Sequence, residues 1–195
     1  MGHILITGAM GMIGRKLLEK LIREEYKISV LVKYEKEKEL FKNFSLDFRV
    51  GNLLDKEGLY AITSGIDAVI HLAGITHTNT TKLYYQVNTE GTKNLLEACE
   101  KNHVKRFIFI SSRTASVEGG AYAYSKLLAE EEVKKSSIPW VILRLGEVYG
   151  AGEKEAISRL VRTIQEGYFV PIIGNGKYGV CPVYIDDVII TINEP

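Results

Sequence analysis

Three side chains in the second half of the sequence have the types and spacing for chemistry at a hydroxyl group. Tyr122 and Lys126 lie four positions apart, so on a helix they project from one face. Ser112 closes an apolar run ten residues before Tyr122. A phenol with an ordinary pKa of about 10 is a poor proton carrier at neutral pH until a neighbouring ammonium stabilises its phenolate, and Lys126 is spaced to do this. Ser112 could then hydrogen-bond a substrate oxygen while Tyr122 gives or takes the hydroxyl proton. The same Tyr-x-x-x-Lys spacing recurs at Tyr34 and Lys38, with no serine-bearing strand end ahead of it. Context, not spacing, selects Tyr122. The competing structural reading is a surface helix whose Tyr and Lys merely point outward.

A partner for hydride chemistry is signalled near the amino terminus. The apolar run His3-Ile4-Leu5-Ile6-Thr7 enters Gly8-Ala9-Met10-Gly11-Met12-Ile13-Gly14, and Leu17, Leu18, Leu21 and Ile22 then recur at helical spacing. This predicts a buried strand turning sharply into a helix. Gly8 permits the turn, Gly11 lets the backbone approach a pyrophosphate, and Gly14 lets helix and strand pack closely, while the first helical residues, Met12 and Ile13, offer free N–H groups. The spacing G-x-x-G-x-x-G differs from the G-x-G-x-x-G of the commonest dehydrogenases, and a ligand-free glycine turn is the competing reading. A second strand, Lys27–Val32, ends at Lys33, where NAD-selective folds usually carry an acid for the ribose hydroxyls. The cofactor read here is NAD or NADP, with a lean to NADP from Lys33 and with Arg15 as a second cation; a solvated lysine at a strand end fits as well.

The elements that must position these groups alternate. Residues 35–42 predict a short exposed helix, 46–50 a third strand ending at Gly51-Asn52-Leu53, and 57–63 a helix. Residues 67–72 predict a fourth strand running into Ala73-Gly74. A polar loop, 76–81, carries His77, read as solvated. Residues 83–101 predict a long helix whose stripe is Val87, Gly91, Leu95 and Cys99. Asn88 lies beside that stripe and needs partners, as a structural bracket or as part of a polar chain to the site. Strand five is 106–110, strand six 137–144, a helix covers 153–167, a turn lies at Gly174-Asn175-Gly176, and another helix begins at Asp186. Such alternation demands a parallel sheet with helices on both faces. The expected fold is therefore α/β, a doubly wound, Rossmann-type sheet. Residues 1–145 read as the dinucleotide-binding domain and 146–195 as a small, partial substrate-binding lobe, either minimal or shortened.

Composition excludes other classes. With 195 residues, a net charge of +1, 46% hydrophobic and 25% charged residues, nothing points to nucleic acid or a membrane surface. Cys99 and Cys181 read as free thiols, and neither a metal site nor a disulfide framework is expected. With no leader sequence and no bilayer-length apolar run, the expectation is a cytoplasmic protein.

Taken together, several ordered stretches make the chain resemble an extended-type short-chain dehydrogenase/reductase of the sugar-nucleotide epimerase/dehydratase group. They are Thr7 to Gly14, His71-Leu72-Ala73-Gly74, Val87 to Ala98, Ser111-Ser112, Tyr122 with Ser125-Lys126, Arg144 with Val148-Tyr149-Gly150, and Tyr184 to Val188. The resemblance implies that Ser112, Tyr122 and Lys126 are catalytic, that Asn88 helps position them, and that Lys126 also holds the nicotinamide ribose. With Lys33 read from its place at the end of strand two, the cofactor site comprises Gly8, Gly11, Met12, Ile13, Gly14, Asn52, Leu53, Leu72, Ala73 and Gly74, joined by Tyr122 and Lys126, and the resemblance implies that Leu145 to Val148 border the nicotinamide. A nucleotide sugar as substrate and a homodimer through the helices bearing Asn88 and Tyr122 follow from the same likeness. Three departures stand out: Asn52 replaces a usual Asp, Arg113-Thr114 replaces the acidic pair of the dehydratases and disfavours water elimination, and the loop from Arg113 to Ala121 is short. An epimerase or reductase is expected; the rival reading is a dinucleotide-sensing binding protein without turnover.

Overall fold

In the sheet at the centre of the molecule, a computed structural model, strands are added first to one side of the opening strand and then to the other, so the strand order reverses once. Residues 2–24, 26–150, 156–167, 175–176 and 179–193 are described. Strands β1 (His3–Thr7), β2 (Lys27–Val32), β3 (Asp47–Val50), β4 (Ala68–His71), β5 (Arg106–Ser112) and β6 (Trp140–Leu145) lie in the order β3-β2-β1-β4-β5-β6. Every neighbouring pair is parallel. All five residues of β1 are buried, as a strand covered on both faces requires, and so its sequence reads as an uninterrupted apolar run.

The faces of the sheet are covered by α1 (Met12–Leu21), α2 (Lys56–Thr63), α3 (Thr81–Tyr84), α4 (Gly91–Lys101), α5 (Gly120–Lys135) and α7 (Ile185–Asn193), with α6 (Ala156–Gln165) beside them in sequence. Alternation along β1 sends Ile4 and Ile6 into a cluster with Leu17, Leu21, Ile185 and Ile189. Leu5 faces the opposite cluster, with Leu95, Cys99, Phe107 and Val133. The doubly wound α/β reading of the sequence holds. The turn after β1 and the turn after β4 leave adjacent strands in opposite directions, which opens a crevice at the carboxyl ends of the strands.

Local differences have local causes. The short helix expected over 35–42 is a 3-10 helix, Glu35–Phe41. The predicted helix 83–101 starts at Thr81 and passes through a π-helical segment, Tyr85–Glu90, before α4. A two-stranded parallel sheet of β7 (Glu147–Tyr149) and β8 (Pro182–Tyr184) was not expected, because three residues are too few to show a period. Of the predicted turn, Gly174 lies outside the described residues, while Gly176 has φ +70°. Of the helix expected over 153–167, residues 153–155 also lie outside them.

Candidate active site

The first half of the crevice is built from main chain. Gly8 has φ +74°, a conformation glycine adopts without strain, and a Cβ there would lie 2.5 Å from the Ala73 nitrogen. A Cβ on Gly14 would lie 2.5 Å from the Ala9 Cα, so this glycine lets α1 sit against the turn. Gly11 is different. It is exposed, and a Cβ there would meet only the Gly8 oxygen, at 3.3 Å. Helix α1 has Gly11 at its amino-terminal cap position, with no side-chain cap and no acidic residue in its first turn. Its amino-terminal N–H groups and partial positive charge therefore suit an anion, and the turn fits the diphosphate of a dinucleotide.

From this turn a cleft of about 280 Å³ runs over the ends of β1 and β2, with Gly8, Lys33, Asn52, Leu53 and Ala73 in its walls. Asn52 Oδ1 accepts the Leu54 N–H at 3.1 Å. Sequence reasoning missed Glu37, which also lines the cleft. Its Oε2 accepts the Lys33 N–H at 2.7 Å and the Tyr34 N–H at 3.2 Å, so a carboxylate is pinned at the end of β2. The Lys33 ammonium lies 5.4 Å from the centre of the Tyr34 ring. The lean toward NADP finds no support: the base that suggested it stands beside a fixed acid. The signal for Glu37 was its place four residues after Lys33, hidden because the 3-10 geometry that turns it back was not foreseen.

The second half is built from side chains. Ser112 at the end of β5 and Tyr122 and Lys126 on α5 line a cleft of about 190 Å³ together with Ile13, Leu72, Gly74 and Val148. The pair on α5 thus faces the crevice. Gly11, Met12 and Gly14 line neither cleft; Met12 packs against the core beside α1. Ile75 borders both clefts and was not foreseen.

Lys126 is 6% exposed; its ammonium donates to the Ile110 carbonyl at 2.6 Å and lies 4.2 Å from the centre of the Phe109 ring. Burial pushes its pKa down to about 8, against a smaller upward pull from Glu130. The expectation that Lys126 pulls the phenol down is not what the structure gives: burial pushes Tyr122 above the ordinary phenol range, Ser112 offsets part of this by a hydrogen bond, and the Glu147 charge adds to the rise. The Tyr84 ring meets Tyr122 edge-on, with centres 6.0 Å apart. Glu130, 1% exposed, holds the floor of this region. Its carboxylate accepts the Ser111 hydroxyl at 2.6 Å and a forked pair from Arg144 at 2.8 and 2.6 Å.

Asn88 is buried and links the segment after β4 to α5. Its Oδ1 accepts the Ile75 N–H at 2.7 Å, and its Nδ2 donates to the Ile75 carbonyl and to Ser125 Oγ, each at 3.0 Å. The Ser125 hydroxyl donates to the Tyr122 carbonyl at 2.7 Å. His77 is exposed and touches Thr76, away from these groups. Among the described residues, no cluster of His, Cys, Asp and Glu could hold a metal ion, and no helix is long and apolar enough to cross a membrane.

Residues 4–192 match the model of the NAD dependent epimerase/dehydratase family. The chain is 31% identical over 195 residues to UDP-glucose 4-epimerase from Vibrio cholerae, covering 86% of this chain and 58% of that protein. It is 25% identical over 207 residues to the decarboxylating sterol-4-alpha-carboxylate 3-dehydrogenase of Homo sapiens, covering 94% of this chain and 54% of that one. The chain thus spans little more than half the length of these relatives. Among solved structures, a UDP-glucuronic acid 4-epimerase mutant from Bacillus cereus, in complex with UDP-4-deoxy-4-fluoro-glucuronic acid and NAD, superposes with a TM-score of 0.80 at 26% identity, covering 98% of this chain and 73% of that one.

Proposed function

Because the chain belongs to the NAD dependent epimerase/dehydratase family, we propose that it carries out NAD-dependent oxidoreduction at a hydroxyl-bearing carbon of a nucleotide sugar, as a 4-epimerase or reductase. The observation that carries this reading is that Ile13, in the first turn of the helix that suits a diphosphate, and Tyr122 line one cleft. The likeness to the Vibrio cholerae and Bacillus cereus epimerases supports a nucleotide sugar as the substrate. Residues 1–145 would bind the dinucleotide and 146–195 would begin a substrate lobe, with α7 leaning back on α1.

The turn at Gly8, Gly11 and Gly14, with the amides of Met12 and Ile13, would hold the diphosphate, and Asn52 and Leu53 would border the adenine. Leu72, Ala73, Gly74 and Val148 would border the nicotinamide side. The fixed Glu37 carboxylate favours NAD, because it repels a 2′-phosphate and accepts hydrogen bonds from ribose hydroxyls. Bound NAD would supply the acceptor for the hydride that leaves the carbinol carbon. Tyr122 takes the substrate hydroxyl proton on oxidation and returns it on reduction, while Ser112 hydrogen-bonds the same oxygen. The raised pKa of Tyr122 keeps the phenol protonated at neutral pH, the form that reduction needs; oxidation draws on the phenolate, and so should speed up as pH rises. Lys126 brings its positive charge to the same cleft at neutral pH.

The test compares wild type with Tyr122→Phe in the presence of NAD and a panel of UDP-glucose, UDP-galactose, UDP-glucuronate and dTDP-glucose, following sugar products and nicotinamide absorbance. Turnover should fall about 10²- to 10⁴-fold in the variant, with NAD affinity unchanged. NAD binding by a wild type that converts none of these sugars would replace the enzyme by a dinucleotide sensor.

A further inference from the structure

We propose that His71 and Thr92 form a buried latch that holds the π turn bearing Asn88 and, through it, the placement of Tyr122; the idea rests on Tyr122 being the acid/base, and neither latch residue touches substrate. His71 ends β4 and is fully buried. Its Nδ1 lies 2.6 Å from the Thr7 hydroxyl, at the end of β1, and its Nε2 lies 2.9 Å from the Thr92 hydroxyl on α4.

Counting protons fixes the roles. The Thr92 hydroxyl donates to the Asn88 carbonyl at 2.6 Å, so toward His71 it accepts, and the imidazole carries its proton on Nε2. Bare Nδ1 then accepts the Thr7 hydroxyl, whose oxygen in turn accepts the Ala73 N–H at 3.2 Å. A single chain of donors therefore runs from the Ala73 amide through Thr7, His71 and Thr92 to the Asn88 carbonyl. An imidazolium would break it, because Nδ1 would no longer accept. Burial, with the Lys126 charge adding to it, pushes the His71 pKa down to about 3, which keeps the ring neutral.

The place where this chain ends gives it a purpose. Asn88 sits in the π-helical segment, where i to i+5 pairing widens the turn and disturbs the ordinary partners of the carbonyls. The Thr92 hydroxyl supplies a partner for the Asn88 carbonyl, and the Asn88 side chain is then directed at Ile75 and Ser125. Ile75 borders both clefts, and Ser125 is bonded to the Tyr122 carbonyl. The latch thus ties the strand that enters the glycine turn to the helix that carries the phenol. No sequence period reports it, since the spacing from Thr7 to His71 to Thr92 is set by the tertiary fold.

The test uses the whole chain, with Thr92→Val to remove the hydroxyl at nearly constant shape and Thr92→Ser to restore it. Three readouts apply: the ¹⁵N spectrum of His71, hydrogen exchange at the Ile75 amide against the core amide of Ile6, and kcat, KM and NAD affinity with UDP-glucose as the probe. Wild type should show the neutral Nε2–H tautomer from about pH 8 to about pH 5. In Thr92→Val, Ile75 exchange should rise about tenfold or more relative to Ile6. The value of kcat should fall about 10- to 100-fold with KM and NAD affinity held within about twofold, the mark of misplacement and not of lost binding, and Thr92→Ser should recover both. An Nδ1–H tautomer, unchanged Ile75 exchange in Thr92→Val, or failure of Thr92→Ser to recover it overturns the latch. If Thr92→Val does not fold, the wild-type tautomer and the Ile75 protection of Thr92→Ser decide. If Tyr122→Phe turns over like wild type, the reading of the site fails while exchange and tautomer still judge the latch.

Discussion

The two sides of the crevice are made in different ways. On the side toward β2 and β3, the surface that suits a diphosphate is main chain, shaped by Gly8, Gly11 and Gly14 and finished by the free end of α1. On the side toward β5 and β6, it is made of side chains, and those that matter are held by partners well removed in sequence: Lys126 by Ile110, Asn88 by Ile75 and Ser125, Ser111 by Glu130. A main-chain site depends on conformation and is insensitive to protonation. A site of buried polar side chains depends on both, since each unmet donor or acceptor is costly in a region of low dielectric.

The contrast is broken most severely at Gly14. A Cβ there would lie 2.5 Å from the Ala9 Cα and 2.6 Å from the Gly8 oxygen, both main-chain atoms that cannot rotate away. Gly14→Val is expected to abolish the native fold, read by circular dichroism and thermal melting. A cooperative melt at the wild-type temperature would contradict the packing role. Gly11→Val should behave otherwise: the backbone there is extended, with φ −70° and ψ 167°, the residue is exposed, and an added Cβ meets only the Gly8 oxygen, at 3.3 Å. The fold should persist while NAD affinity falls at least about 100-fold by calorimetry, the equivalent of losing roughly two charge-assisted bonds at about 1.5–3 kcal/mol each. Equal affinities for the variant and wild type would place the diphosphate elsewhere.

These differences explain what was legible in the sequence. The turn at Gly8 to Gly14 was readable because its conformation follows from glycine spacing and from a strand and helix that are contiguous in the chain. Strands β1 and β2 were readable to the residue because a strand covered on both faces is written as an apolar run. Ser112, Tyr122 and Lys126 were readable by type. Their partners were not: the Lys126 bond to Ile110 spans 16 positions, that of Asn88 to Ser125 spans 37, and His71 to Thr7 spans 64. Nothing local encodes such pairs. Burial was also invisible, and burial decides that Tyr122 is raised and not lowered. Glu37 was lost for a smaller reason: a short exposed helix was read over this segment without its 3-10 geometry, which turns the side chain back to the Lys33 and Tyr34 amides.

On the side-chain half, protonation offers a sharper test. The Lys126 pKa is about 8 in the folded protein, against an ordinary value of 10.5. Below pH 8 both states hold the proton and the native state bears the cost of the buried charge. Above it the native state releases the proton first, so the unfolded chain binds more protons and stability rises with pH until the ordinary value is passed. Wild type should therefore gain about 2 kcal/mol relative to Lys126→Met between about pH 8 and about pH 9.5, measured by urea unfolding without NAD. Taking the difference between the two proteins cancels Cys99, whose thiol burial pushes upward in both. Parallel profiles would mean that Lys126 is not titrating from a buried position. No such rise is expected from any substitution in the glycine turn.

The smallest effect is expected where a side chain trims the main-chain half. Glu37 is half-buried, and its carboxylate is fixed by two amides of the segment that leaves β2, so its charge does not move aside for a ligand. Glu37→Gln keeps an oxygen that can accept the Lys33 N–H and removes the negative charge. The penalty on a 2′-phosphate is then relieved by about 1 kcal/mol, the scale of two charges about 4 Å apart in a water-like medium. Competition calorimetry should show the NADP-to-NAD affinity ratio rising roughly fivefold. Turnover of bound substrate should stay as in wild type, because the substituted group lies on the far side of Ile75 from Tyr122. An unchanged ratio would move cofactor selection to Lys33, whose ammonium would then have to leave the Tyr34 ring to reach the phosphate.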